Sequence, residues 1–408
     1  MRVLATARVK VVAPNPSPLR ALIQFLKAYR DWAQYVIDQI WELDHIPSMK
    51  ELHHRFYRLL RKQGFRAHHC HKIERRAREV VKAVKKNHGS RPILKKLTAR
   101  LDQWDYRLNL NSKSIRIATL NGEWVELKLV WYPYINRYFS GGWGLKEILV
   151  SYRDGTVWVY LTFEKEVKLR KPRAVMGVDI NFSNITYAIV DKSGKLVTMG
   201  TIPFNGLRRA LAHKIIVEKI QRRHPRRWRH VKGIREAIRR HGRRARNILN
   251  DSCHHITRRV IEIAEEYDAL IVLENLNKLR SRANGSRRFN RRVSLWAYRR
   301  IQAHIHHKAT IDGLPVAYVN PKGTSKESPV GGELVFINYR WVKLPNGHIV
   351  TRDIVASWNI ALRGLNTLTR DVGPRGPVEA PKAPEGDEAP TPMKGKPVPE
   401  PTLSNQST

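Results

Sequence analysis

Three carboxylates sit beside strongly apolar runs, far apart in the chain. Asp179 follows Gly177-Val178 in VMGVDINFSNITYAIVD, Glu274 closes the apolar part of LIVLENLNKL, and Asp353 lies at the head of TRDIVASWNIALRG. An apolar strand seldom carries an ionised group, because burying an unpaired charge is costly. Gathered at one end of a sheet, three such acids would repel one another until divalent cations neutralised them. Oxygen-only donors favour Mg²⁺ or Mn²⁺. Two such ions about 4 Å apart can activate a water and stabilise the leaving oxygen of a phosphodiester. Each acid also has a plainer reading. Asp353 suits a helix first turn, where the dipole favours negative charge. Glu274 suits a solvated strand end, and Asp179 could pair with an arginine.

The elements that position these acids follow from changes of period. Residues 2–12 alternate like a strand, and a helical pattern then runs to about Leu43. More basic helices are expected from Met49 to about Arg100. From about Leu108 the period is two, with hairpins about Asn121-Gly122 and Asp154-Gly155, dipeptides that tolerate the positive φ of type I′ turns. A lone first strand, a helical stretch and then more strands suggest a β-barrel interrupted by an insertion. From Ala174 the pattern is α/β: strands near 174–180, 185–191 and 195–202, helix over about 206–267, strand 269–276, helix 293–311, strand 315–320 and a last helix from about Asp353. Thus one acid lies in the first strand of a meander, one after a later strand and one on the final helix.

The chain of 408 residues carries a formal net charge of +41, an excess that calls for a polyanion. Nucleic acid is favoured over a membrane surface, since no apolar run is long enough to span a bilayer and no signal peptide is evident. Cys70 and Cys253 are the two cysteines, too few for a disulfide framework, which points to a reducing, cytoplasmic setting. HHCH (His68–His71) and HIHH (His304–His307) invite a zinc reading. Adjacent helical positions point in different directions, so both are read as basic helix faces. Beyond about Asp371 the chain holds nine of its 22 prolines and almost no large apolar residue, so this tail is expected to be disordered.

The order of acids and elements resembles the RuvC branch of the ribonuclease-H-like nucleases and, further, the TnpB proteins, transposon-encoded relatives of type V CRISPR effectors. VMGVDINFSNITYAIVD looks like the family's first nuclease motif, VLENL like its second and RDIVASWNIALRG like its third. LNSKSIRI and the paired hairpins resemble its β-barrel, or wedge, domain. The resemblance implies a multidomain protein: wedge barrel at 1–13 and 106–170, helical recognition insertion at 14–105, RNase-H-like (RuvC) α/β domain at 171–320 and 350–368, a zinc-ribbon insertion at 321–349 and the tail at 369–408. It implies an RNA-guided DNA endonuclease, not the recombinase proper, that is intracellular and nucleoid-associated. Its partners would be a guide RNA from the transposon end and double-stranded target DNA. Asp179, Glu274 and Asp353 would be the catalytic ligands of two Mg²⁺ or Mn²⁺ ions. Base pairing would supply sequence choice and the basic protein would recognise backbone shape.

Two departures from the family pattern stand out. Ser328, Gly331, Leu344 and Gly347 occupy the positions of the ribbon's two Cys-x-x-Cys pairs, so no zinc is expected there. LPNGH reads instead as a plain Asn-Gly hairpin. Thr351 also replaces the first Asp of the family's common Asp-Arg-Asp. These changes keep open two alternatives: an inactive or repurposed nucleic-acid-binding derivative, and a RuvC-like nuclease without a guide. Two basic segments, Lys219–Asn247 and Lys278–Arg300, suit phosphate contact. Their candidate residues are Arg222, Arg223, Arg226, Arg227, Arg229, Arg243, Arg244, Arg287, Arg288, Arg291 and Arg292. The second segment is read as a mobile loop over the acids. Trp228 is a candidate for stacking on bases, whereas Trp296 and Tyr298 suit core packing.

Overall fold

The computed structural model describes residues 1–13, 16–276 and 296–369, which fall in two units, Met1–Val167 and Lys168 onward. Arg287, Arg288, Arg291, Arg292 and the Pro-rich tail lie outside the described residues. Among those described, no helix is long and apolar enough to cross a membrane.

The first unit combines strand β1 (Arg2–Val12), helices α1 (Pro16–Trp41), α2 (Met49–Lys62) and α3 (Ala67–Lys86), and strands β2 (Leu97–Leu101), β3 (Tyr106–Asn109), β4 (Ser114–Ala118), β5 (Trp124–Val130), β6 (Gly144–Arg153) and β7 (Thr156–Glu166). The strands form one seven-stranded sheet in the order β2-β6-β7-β1-β5-β4-β3. Strict alternation in β1 turns Val3, Ala5, Ala7, Val9 and Val11 inward. Both expected hairpins form. Asn121 and Gly122 sit at φ 55° and 79° between β4 and β5, and Asp154 and Gly155 at 51° and 76° between β6 and β7.

The helical reading to Arg100 needs correction. Helix ends at Lys86, and Leu97–Leu101 is a strand paired antiparallel with β6. Helix α2 starts at a capping box in which the Glu51 amide donates to Ser48 Oγ (3.2 Å) and the Ser48 amide to Glu51 Oε2 (2.7 Å). In α3, HHCH is not simply a basic face. His69 and Cys70 are fully buried on the stripe that continues through Ile73, Ala77 and Val81, whereas His68 and His71 remain outside it.

The second unit contains β8 (Ala174–Ile180), β9 (Asn184–Asp191), β10 (Leu196–Pro203), α4 (Leu207–Arg223), a 3₁₀ turn at Arg227–Arg229, α5 (Lys232–Glu266), β11 (Ala269–Glu274), α6 (Tyr298–Asp312), β12 (Val316–Val319), β13 (Val335–Phe336), β14 (Trp341–Lys343), β15 (Ile349–Thr351) and α7 (Arg352–Thr369). Five strands form a mixed sheet ordered β10-β9-β8-β11-β12, with β11 parallel to both β8 and β12. Strands β13–β15 make a separate small antiparallel sheet.

The acid-bearing strand β8 is buried on both faces. Ala174, Met176, Val178 and Ile180 join the core built with α5 and α6, while Val175 joins the one built with Val355, Ile360 and Ala361 of α7. Each such aliphatic side chain contributes about 1.5–3 kcal/mol on burial. Gly177 lies directly under α7, where a Cβ would strike the Ser357 carbonyl and the Ala361 backbone. The missing side chain lets the helix settle on the strand.

Candidate active site

Asp179 and Glu274 reach one place because β8 and β11 are neighbouring parallel strands. Val178 pairs with Leu273, and each acid is the next residue along. Val178 and Leu273 both enter the core of α5 and α6, so alternation turns the two acids to the opposite face, which α7 covers. Asp353, in the first turn of α7, completes the set. All three line one cavity of about 950 Å³, together with Asn181, Thr324, Trp296, Tyr339, Arg340 and Arg352.

The acids are partly buried, and two of them are held by polar neighbours. Asn181 Nδ2 donates to Asp179 Oδ2 at 3.0 Å, and Thr324 Oγ1 donates to Glu274 Oε1 at 2.8 Å. Burial pushes the Asp179 carboxyl up to about 8, with the charges of Glu274 and Asp353 adding to the rise and the Asn181 hydrogen bond opposing it. Burial also raises Glu274 against the Thr324 hydrogen bond and the Arg363 charge, and Asp353 against Arg340 and Arg352. A carboxylate set that resists ionising until positive charge arrives is suited to hold hard divalent cations through oxygen. The acids ring the cavity without closing on a point. Among the described residues, three ligand atoms gather within 4.8 Å of one another only elsewhere, at His53, His71 and Glu74.

Asn181, Thr324, Arg340 and Arg352 escaped the sequence reading. Asn181 had a usable signal, two residues beyond Asp179, and Arg352 directly precedes Asp353. Thr324 and Arg340 arrive through the segment between β12 and α7, which no local pattern links to the acids.

Of the basic candidates, Arg222, Arg223, Arg226, Arg227, Arg229, Arg243 and Arg244 are all exposed, and none pairs with a carboxylate among the described residues. Arg229 lies over the Trp228 ring at 5.1 Å from its centroid. Tyr298 is buried in the core, and Trp296 packs at the core's edge with its ring 5.3 Å from that of Tyr298.

Around Ser328, Gly331, Leu344 and Gly347 the chain is held by backbone bonding and packing. Ser328 Oγ donates to the Gly331 carbonyl at 2.7 Å, and Leu344 is buried in the α7 core. The Leu344 amide donates to the His348 carbonyl and that of Gly347 to the Leu344 carbonyl, closing the expected Asn-Gly hairpin between β14 and β15.

Residues 298–360 match the family model described as Cas12f1-like, TNB domain. The chain is 31% identical over 256 residues to the TnpB-like protein MJ0751 of Methanocaldococcus jannaschii, covering 60% of this chain and 89% of that protein. It is 27% identical over 208 residues to the CRISPR-associated endodeoxyribonuclease Cas12f2 of a Micrarchaeota archaeon, covering 48% of this chain and 36% of that one. In fold it is similar to Cas12f1 as seen in a Cas12f1-sgRNA-target DNA complex, with a TM-score of 0.67 at 14% identity over 86% of this chain and 83% of the other. That likeness makes it a multidomain, mixed α/β protein. The extent of the M. jannaschii match settles the family: the chain belongs to the TnpB-like proteins.

Proposed function

We propose that the chain is an RNA-guided DNA endonuclease whose phosphodiester cleavage depends on Asp179, Glu274 and Asp353. The observation that carries this reading is the meeting of three acids, from two parallel strands and a helix, on one cavity. Bound among them, two Mg²⁺ or Mn²⁺ ions would supply an activated water and neutralise charge on the scissile phosphate. The protein's own groups then have distinct tasks. Asn181 fixes the orientation of Asp179, and Thr324 fixes that of Glu274. Arg340 and Arg352 line the same cavity and suit the backbone phosphates on either side of the cut.

The exposed arginines of α4, α5 and the turn between them would follow the nucleic-acid backbone without reading its sequence. In this reading the sheet of residues 1–13 and 106–170 acts as the wedge and the helices within 14–105 as the recognition insertion. Residues 171–320 and 350–368 form the RuvC-like nuclease, and 321–349 a ribbon without its thiolates. Endodeoxyribonuclease activity in the Cas12f2 relative, and the guide and target DNA bound to Cas12f1, support the reading.

Sequencing the RNA that co-purifies with the protein tests guidance. A defined small RNA that directs Mg²⁺-dependent cutting of matching DNA is expected. Cutting without any RNA would favour an unguided nuclease, and RNA binding without cutting an inactive derivative.

A further inference from the structure

The first unit contains a second set of chemically suited ligands. His53 lies on α2, while His71 and Glu74 lie on α3 three residues apart, a spacing that puts both on one helix face. The donor atoms of all three lie within 4.8 Å of one another. Glu74 Oε2 is 3.6 Å from His53 Nδ1 and 3.8 Å from His71 Nδ1. The two imidazoles are parallel, with centroids 4.6 Å apart.

Three observations distinguish this cluster from an ordinary ion pair. The Glu74 side chain is completely buried, yet neither of its oxygens has a hydrogen-bond partner among the described residues. His53 Nδ1 is likewise buried without one. The His–Glu separations are too long for hydrogen bonds, which close at about 2.7–3.2 Å. They are slightly wider than the spacing of ligands around one tetrahedral ion, roughly 3.3–3.6 Å when each bond is 2.0–2.2 Å, and turning the two stacked rings about their Cβ–Cγ bonds would aim a nitrogen of each at such an ion. An unpartnered buried carboxylate is costly to ionise, and a cation held jointly with the two imidazoles offsets that cost.

We propose that His53, His71 and Glu74 bind a first-row transition-metal dication, zinc foremost, which pins α2 to α3. Two imidazoles and a carboxylate suit zinc better than Mg²⁺, which prefers oxygen donors. The His53 and His71 side chains are 40% and 55% exposed, so the ion can enter from solvent and complete its shell with water. Coordination through Nδ1 leaves the proton on Nε2 of each ring.

The test uses the full chain, stripped with a chelator and returned to buffer containing excess Mg²⁺ so that the acids of the other unit are occupied. Zinc per chain is measured by mass spectrometry after dialysis. Co²⁺ is titrated in parallel and its visible absorption reports coordination. One equivalent of zinc and a tetrahedral Co²⁺ spectrum are expected. Both should weaken by at least about a hundred-fold in His53→Ala and His71→Ala, beyond what loss of an outer partner of a ligand causes. Both substitutions fall on half-exposed side chains, and circular dichroism checks that the helices persist. Asp179→Ala should leave zinc binding unchanged. Absence of stoichiometric zinc, retention of binding in both histidine variants, or loss of it in Asp179→Ala overturns the proposal.

Discussion

The acid-lined cavity of the second unit and the histidine-glutamate cluster of the first solve the placement of charged ligands in opposite ways. Around the cavity the donors are all oxygens, spread widely, and two of the acids are oriented by polar neighbours, Asn181 and Thr324. In the cluster the donors are mixed nitrogen and oxygen, drawn tightly together, and the carboxylate has no hydrogen-bond partner among the described residues. A broad, pre-oriented oxygen set suits hydrated hard ions and a phosphate that must come and go. A tight N/O set suits one resident softer ion. Donor type and spacing together, not the number of acids, separate the two.

The sharpest way to break this contrast is to remove one donor from the cavity. Asp179→Ala should lower Mg²⁺-dependent DNA cleavage by at least about 10³-fold, or about 4 kcal/mol of barrier, while co-purifying RNA is retained. Cleavage within tenfold of the parent would remove Asp179 from the chemistry.

Acidity gives the next largest effect. Because the Asp179 carboxyl is pushed up to about 8 and only its ionised form binds a cation, cleavage at limiting Mg²⁺ should rise with pH up to about 8. The midpoint should move lower as Mg²⁺ is increased, and a flat profile would contradict this. The same shift has a consequence for stability. In the metal-free protein the native state keeps a proton that the unfolded chain has released above its usual value of 3.8. Stability therefore declines as pH rises from there to about 8. Thermal melts of Asp179→Asn without metal should lack that part of the decline.

Gly177→Ala probes how the third acid is delivered. The added methyl meets the backbone of α7, so a loss of about 1–3 kcal/mol in denaturant unfolding is expected, together with weaker cleavage as Asp353 shifts. Unchanged stability would mean that the helix can move aside freely. Thr324→Val should have the mildest effect, removing one hydrogen bond to Glu274 worth about 1 kcal/mol. Its signature is a higher Mg²⁺ requirement with little change in cleavage at saturation.

Much of this arrangement was legible in the sequence, because its signals are local. Period-two alternation marked β1, and Asn121-Gly122 and Asp154-Gly155 marked their turns. The acids stood out against apolar neighbours, and strand order did the rest. Where the signal is tertiary, legibility failed. Leu97–Leu101 is too short and too basic in its surroundings to stand apart from the helices before it. His71 looked like part of a solvated face because its partners are Glu74, one turn further on, and His53 from a different helix. Thr324 reaches Glu274 from 50 residues away.

The position of β8 within its sheet also bears on when the cavity fails. The strand is hydrogen-bonded along both edges, to β9 and to β11, and covered above and below by apolar side chains. Backbone amides in such a strand exchange with solvent deuterium only when the whole cooperative unit opens. The backbone that carries Asp179 is therefore among the last parts of its unit to melt, and thermal inactivation that precedes global unfolding must begin elsewhere.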